Sequence, residues 1–176
     1  MERKALLKFK EGINDRTGRL SSWTGKNCCR WRGVGCSNRT GRVVQLNLRN
    51  PLQYQYYSED TYESYDRSCL SGEINPSLLS LKYLNFLDLS MNNFLGIKIP
   101  QFLGSFKKLR YLNISNSFFA GTVPPHLGNL SSLRHLDLSC WVSWYNQGSS
   151  GLRVENLHWI SRLVVIGEPQ YELRQP

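Results

Sequence analysis

At 176 residues and 40% hydrophobic content the chain is long enough for one domain with a modest core, and no stretch approaches the ~18 apolar residues of a membrane span. Its net charge of +9 comes from residues 1–50, which hold 12 Lys/Arg against 3 Asp/Glu; residues 51–176 hold ten of each. The stretch K-N-C-C-R-W-R-G at 26–33 interleaves Trp with Arg as a nucleic-acid surface does. No helix-turn-helix, zinc or RNA-binding pattern accompanies it, so a cysteine-bearing cap with a solvated charged face is the expectation, and no nucleic-acid partner.

Residues 2–13 read as an amphipathic helix. Ala5, Leu6, Phe9 and Ile13 recur at helical spacing, while Arg3, Lys4, Lys8 and Lys10 take the rest of the surface. Gly12 and Gly18 weaken and then end it. A basic helix of this kind also suits a membrane surface, but it is short and leads directly into the rest of the domain. With Trp23 and Trp31 it is placed to cover an apolar edge.

Five cysteines are present: Cys28, Cys29, Cys36, Cys69 and Cys140. No second C-x-x-C accompanies them, and His126, His135 and His158 lack ligand spacing, so no metal and no cofactor is expected. Cys29 and Cys36 flank R-W-R-G-V-G and are near enough to bridge. An odd count leaves at least one unpaired thiol in an oxidising setting.

A strand is expected to end at Leu48, and residues 50–69 then interrupt the pattern. They set Tyr54, Tyr56, Tyr57, Tyr62 and Tyr65 among Glu59, Asp60, Glu63 and Asp66. The expectation is a long loop, serving either as a tyrosine-rich contact surface or as a flexible acidic segment.

Three blocks then repeat, each opening on a glycine, at 72–84, 96–109 and 121–133. They run into L-N-F-L-D-L-S, L-R-Y-L-N-I-S and L-R-H-L-D-L-S. The columns Leu84, Leu109 and Leu133 step by a period in the mid-twenties, with one extra residue at Ile97–Lys98. Such a period around L-x-x-L-x-L is that of leucine-rich repeats. One coil cannot bury its leucines alone, so coils stack. The expected fold class is an α/β leucine-rich-repeat solenoid, a right-handed coil behind a helical, disulfide-bearing N-terminal cap.

Strand side chains alternate faces. With the leucines inward, the open concave side carries Gln45, Phe86, Tyr111 and His135 in one column. Asn47, Asp88, Asn113 and Asp137 form the next, and Asn85, Arg110 and Arg134 a third. Aromatic side chains bury area at low entropy cost, so Phe86, Tyr111 and His135, flanked by Arg110 and Arg134, are the candidate contact residues. Tyr111 is expected to face solvent and contribute little to folding. The Asn/Asp column suits the solvated end of a strand. Asn92 sits where an amide can bond successive coil backbones; Ser117 and Trp141 occupy the later positions, so that ladder is expected to break. Four strands about 4.8 Å apart and about 17 Å long offer a strip of roughly 250 Å², against about 800 Å² per partner in a stable interface.

After Leu138 a longer return carries Trp141 and Trp144. The next strand is expected at Leu163 and Ile166, but position 168 is Glu and Pro169 comes directly after it. An unpaired buried carboxylate and a missing donor end the solenoid near 165. The expected division is a cap at 1–42, about four coils at 43–165 with the 50–69 insertion, and a divergent tail at 166–176. Leu133, Leu136, Leu138 and Leu163 are expected to leave an apolar edge partly open. Sequons stand at Asn38, Asn113 and Asn129.

Several of these segments together resemble a known family. E-R-K-A-L-L-K-F-K at 2–10, L-S-S-W at 20–23, C-C-R-W-R-G-V-G-C at 28–36 and N-R-T-G-R-V-V-Q-L-N-L-R at 38–49 resemble the N-terminal cap and first strand of plant leucine-rich-repeat proteins. L-S-G-E-I-N-P-S-L-L at 70–79 and the G-x-[IV]-P repeats look like the plant extracellular subclass, with receptor-like proteins the best match over residues 2–165. In that family a cysteine ahead of the first helix pairs with the first of the adjacent cysteines. The resemblance therefore leaves Cys28 without its partner and implies a Cys29–Cys36 bridge. Charge rather than an apolar stretch comes after Met1, so no secretory leader is expected. The family carries more repeats, a C-terminal cap and a membrane anchor, so the chain is expected to be the first part of a longer protein.

The resemblance implies a non-catalytic ligand-recognition module at the cell surface, in defence or development, with a protein or peptide ligand and a co-receptor kinase as partners. A soluble inhibitor of a secreted hydrolase, like the plant polygalacturonase inhibitors, is the alternative, and a non-functional gene fragment a third. Enzyme signatures are missing: no G-x-S-x-G, H-E-x-x-H, phosphate loop or kinase set. Asp88 and Asp137, about 10 Å apart across two strand spacings, would stand near an inverting glycosidase's separation, but repeated strand-end residues explain them.

Overall fold

The computed structural model describes residues 1–52, 59–140, 151–156 and 158–159. Helix α1 spans Glu2–Glu11 and buries Ala5, Leu6 and Phe9. It stops at Gly12, whose N–H donates to the Phe9 carbonyl at 3.0 Å. Ile13 is therefore not helical as expected: Ile13–Asn14 form a short strand, β1.

The cap is held by stacked aromatics. Trp23 lies 5.5 Å from Trp31 and 6.2 Å from Phe9, centroid to centroid. Both indoles are buried, and each N–H donates to a carbonyl, Trp23 to Arg32 and Trp31 to Thr24, which removes the penalty of burying a donor. A 3-10 turn at Cys28–Arg30 leads to β2, Val34–Cys36. Cys29 and Cys36 are bridged, with Cα atoms 5.5 Å apart, and Cys28 is left free.

Strand β2 pairs antiparallel with β3, Val43–Asn47, and so closes the edge of the sheet. Helix α2, Glu59–Ser68, comes next, and then β4, Ser71–Gly72, which pairs with β1. Three similar coils complete the solenoid. Their strands are β5, Phe86–Asp88; β6, Tyr111–Asn113; and, after β7 at Gly121–Thr122, β8, His135–Asp137. Leu152–Arg153 form β9, which pairs in parallel with β7. The main sheet runs β2-β3-β5-β6-β8, parallel from β3 onward. In register, Leu46, Leu87, Leu112 and Leu136 face the core.

Returns from the strands pass through 3-10 turns at Pro76–Ser80, Gln101–Ser105 and Pro125–Asn129. Leu78, Leu103 and Leu127 insert from these turns, and Phe94 stacks on Phe119 at 4.9 Å. The later turns pack closely because each carries a glycine at the contact. A Cβ on Gly104 would collide with the backbone carbonyl of His126, and one on Gly128 with that of Trp159. Trp159 is itself buried against the last coil. Leu133 is buried and Leu136 and Leu138 are half-buried. Trp141, Trp144, Leu163, Ile166, Glu168, Pro169 and the expected tail lie outside the described residues, as do Tyr54, Tyr56 and Tyr57.

The 50–69 segment corrects the expectation of a loop, since residues 59–68 are helical. Arg67 lies in the last turn of α2, where a cation complements the helix dipole. Tyr65 is the anchor, buried with Cys69 and Met91 in a satellite cluster. Buried Asn50 ties the helix down through Ser68 Oγ at 2.8 Å and the Tyr65 carbonyl at 3.3 Å.

The expected break in the Asn92 ladder is also corrected. Asn92 Nδ2 donates to the Leu48 and Leu89 carbonyls and Oδ1 accepts from the Leu70 N–H. One coil on, Ser117 Oγ still donates to the Leu89 carbonyl of the preceding coil at 2.7 Å. A hydroxyl spans the same gap with fewer bonds.

Candidate ligand-binding face

The open face of the sheet presents the residues that alternate with the core leucines. Gln45, Phe86, Tyr111 and His135 are direct neighbours from β3 to β8, as are Asn47, Asp88, Asn113 and Asp137. The rings form a continuous stack. Phe86 and Tyr111 lie 4.2 Å apart with planes 6° from parallel; Tyr111 and His135 lie 4.4 Å apart at 5°. Parallel strands without register shifts hold the side chains one coil apart, which sets ring planes at stacking distance.

Tyr111 is thus half-buried between two rings rather than simply facing solvent, and its hydroxyl accepts from Asn113 Nδ2 at 3.2 Å. Replacing it costs folding as well as contact. His135 is exposed at the upper end. Below Phe86 the stack opens onto a shallow hollow of about 370 Å³ lined by Gly33, Val34, Gly35, Gln45 and Asn47.

The Asn/Asp column performs a structural task. Asp88 Oδ1 accepts from Ser90 N–H and Oγ at 2.9 and 2.6 Å; Asn113 and Ser115 repeat the pattern, as do Asp137 and Ser139. These are Asx-type turns that end each strand. Asp88 and Asn113 are buried and Asp137 is half-buried. The sequon residue Asn113 is engaged through both side-chain atoms, Nδ2 donating to the Tyr111 hydroxyl and Oδ1 accepting from Ser115. Asn38 and Asn129 are exposed.

Arg110 and Arg134 project from equivalent positions and are exposed. Their backbones are locked in step: Arg110 N–H donates to the Asn85 carbonyl, and Arg134 N–H to the Arg110 carbonyl, both at 2.8 Å. A further column was missed from sequence. Arg42, Tyr83 and Lys108 each precede the first inward residue of their coil. Arg42 lies 5.8 Å and Lys108 Nζ 4.3 Å from the Tyr83 ring centroid. The signal was available, since all three share one offset from Val43, Leu84 and Leu109.

A second omission lies behind this face. Arg19, from the cap, donates to the carbonyls of Leu48, Arg49 and Ser68 and to Asn92 Oδ1, at 2.7–2.9 Å. Burial pulls its guanidinium below the usual value against the opposing field of Asp15. Asp15 orients the turn by accepting from the Arg19 and Leu20 N–H groups.

Burial pushes both Cys28 and Cys69 above the usual thiol value, which disfavours the reactive thiolate. Among the described residues, no group of three or more His, Cys, Asp or Glu could hold a metal, and no helix is long and apolar enough to cross a membrane.

Comparison with known proteins agrees with this architecture. Residues 1–37 match the leucine rich repeat N-terminal domain, and residues 83–106 and 108–130 match the Leucine Rich Repeat model. Receptor-like protein EIX2 of Solanum lycopersicum is 49% identical over 125 residues, which is 68% of this chain and 11% of that protein. Receptor-like protein EIX1 of the same plant is 42% identical over 166 residues, 92% of this chain and 15% of that protein. The crystal structure of PEPR1-AtPEP1 superposes with a TM-score of 0.61 at 28% identity, covering 78% of this chain and 18% of that one. The chain therefore spans a small share of the length of the relatives it matches.

Proposed function

This chain belongs to the leucine-rich-repeat receptor-like proteins of plants, and we propose that it forms the cap and first coils of a non-catalytic, extracellular ligand-recognition surface. The observation that carries this reading is the stack of Phe86, Tyr111 and His135 on the sheet face opposite the leucine core, bordered by Arg110 and Arg134. Rings fixed by their neighbours lose little entropy on contact, which is what a recognition surface requires.

Strip dimensions limit what this part does alone. About 250 Å² is well short of the roughly 800 Å² per partner of a stable interface, so these coils supply one end of a longer site. We read residues 1–42 as the cap, 43–165 as repeats and 166–176 as a divergent tail. The partners are a protein or peptide ligand and a co-receptor kinase, met at the cell surface in defence or developmental signalling. The relatives, named as receptor-like proteins, support this over an inhibitor of a secreted hydrolase.

The test places residues 1–165 on a complete repeat array and compares Tyr111→Ala with Leu112→Ala. Loss of a contact ring weakens ligand binding by about 1–2 kcal/mol. Loss of fully buried Leu112 instead destabilises the coil by about 2–5 kcal/mol. Binding unchanged in a folded Tyr111→Ala array would mark these coils as scaffold.

A further inference from the structure

The ring stack has a cationic margin on one side only. Six exposed cations lie at the start of the strands: Arg42, Lys82, Lys107, Lys108, Arg110 and Arg134. They occupy three positions around the first inward residue of each coil, the two before it and the one after it, on coils about 4.8 Å apart. The ion pairs found among the described residues are elsewhere, at Lys8–Glu11, Arg16–Asp66 and Arg67–Glu63. Nearby acids are engaged: the Glu2 carboxylate accepts from the Val43 N–H, and Asp88 and Asp137 close on their own serines at the far end of the strands. Among the described residues, the side chain of Lys107 donates to the Asn129 carbonyl at 3.3 Å.

The rings add to this positive field. Stacked at 5–6°, Tyr111 has both faces covered and Phe86 and His135 one each, so the strip turns ring edges outward. Ring edges are the positive part of the aromatic quadrupole. Tyr83 has its faces toward Arg42 and Lys108. A sugar stacks on an open ring face, and the central ring of this strip, Tyr111, has neither face open. An extended peptide meets ring edges and cations differently, since it sets alternate side chains on one side at a spacing long Arg and Lys side chains can follow. The strip is also narrow, which suits a linear segment rather than a folded surface.

We infer that the cationic margin of the ring stack docks an acidic peptide segment, an inference that rests on the open-face recognition reading above. Carboxylates would meet Arg110 and Arg134 first, with Arg42 and the lysines steering approach.

Fluorescence anisotropy on the full chain tests this, with a labelled peptide of alternating Glu and Ser and its Gln–Ser counterpart as probes. The acidic probe should bind at least about tenfold more tightly than the neutral one, and weaken several-fold between about 20 and about 200 mM salt. Arg110→Glu/Arg134→Glu should weaken it by at least about tenfold. Lys26→Glu/Lys98→Glu, the same charge change on other exposed surface, should leave it within about twofold. Equal loss in both double variants would reduce the effect to net charge and overturn the assignment, as would no binding of the acidic probe. An oligogalacturonate that bound as tightly, with the same loss, would reassign the strip to acidic sugars. If both peptides bound alike and Tyr111→Ala weakened both, the contact face would stand and its preference for acid would fall. If neither Tyr111→Ala nor the charge reversal altered binding, the open-face reading would fall with it.

Discussion

Arg19→Ala is the most informative single perturbation of the scaffold. The guanidinium joins three chain segments, reaching Leu48 and Arg49 on the first coil, Ser68 at the end of α2, and Asn92 on the second coil. Two acceptors keep a second donor when it is removed: Leu48 retains Asn92 Nδ2, and Asn92 Oδ1 retains the Leu70 N–H. The Ser68 and Arg49 carbonyls lose this donor. Hydrogen bonds to a charged group contribute about 1.5–3 kcal/mol each, and the cost of desolvating the guanidinium is recovered, so the net loss should be about 3 kcal/mol. At about 2–4 °C per kcal/mol for a chain of this size, the melting temperature should drop by roughly 6–12 °C. Arg19→Lys keeps the charge but has a compact head with three donors instead of a planar fork, and should lose about half as much. Because Arg19 caps the last carbonyl of α2, hydrogen exchange should quicken at residues 59–68 while β6 and β8 keep their protection. A variant within about 0.5 kcal/mol of wild type, or exchange that quickens equally everywhere, would refute the idea that one cap residue orders the insertion.

Tyr111→Ala should itself cost about 1–2 kcal/mol in urea unfolding, since it removes two stacked pairs, yet less than Leu112→Ala; the reverse order would place the strand register one residue off. After secretion from a glycosylating host, peptide mass spectrometry should find glycans at Asn38 and Asn129 and a bare Asn113. Opening the Cys29–Cys36 bridge should cost about 2–2.5 kcal/mol on loop entropy, measured as the urea midpoint of Cys36→Ser; a Cys28–Cys36 bridge in unreduced digests would overturn the pairing. Burial pushes the Cys69 thiol above 9.0, and a raised folded value stabilises below the unfolded one and is lost as pH rises through the folded one. Stability should therefore fall on going alkaline beyond about pH 9, and Cys69→Ala should lack that component.

The repeat was legible because its cause is periodic. Leu84, Leu109 and Leu133 occupy one column of the core, so counting between leucines gives the register of the strands and with it the Phe86–Tyr111–His135 column. Arg42, Tyr83 and Lys108 emerge from the same counting and could have been read. Arg19 could not: its acceptors lie 29 to 73 residues away and three of the four are backbone carbonyls, which carry no residue signature. Helix α2 was hidden for a related reason. Its composition is that of a polar loop, and its order depends on Tyr65 meeting Met91 across a distance the sequence does not encode. The burial of Asn113 was not legible either, because a sequon includes Ser115 but says nothing of the Tyr111 hydroxyl that meets the amide.

Gly104 and Gly128 have an effect far from their own contacts. On the strand side the backbone hydrogen bonds fix the distance between coils; on the return side the side chain at this position fixes it. With hydrogen there, the returns approach more closely than any side chain would allow. A methyl at Gly104 would push the return of its coil away from His126, lengthen the outer arc and tighten the radius of the whole face. The ring stack and the cationic margin would then be tipped toward each other without any change in their own residues. The radius of curvature presented to a ligand is thus set on the opposite side of the molecule, by the smallest side chain in the repeat.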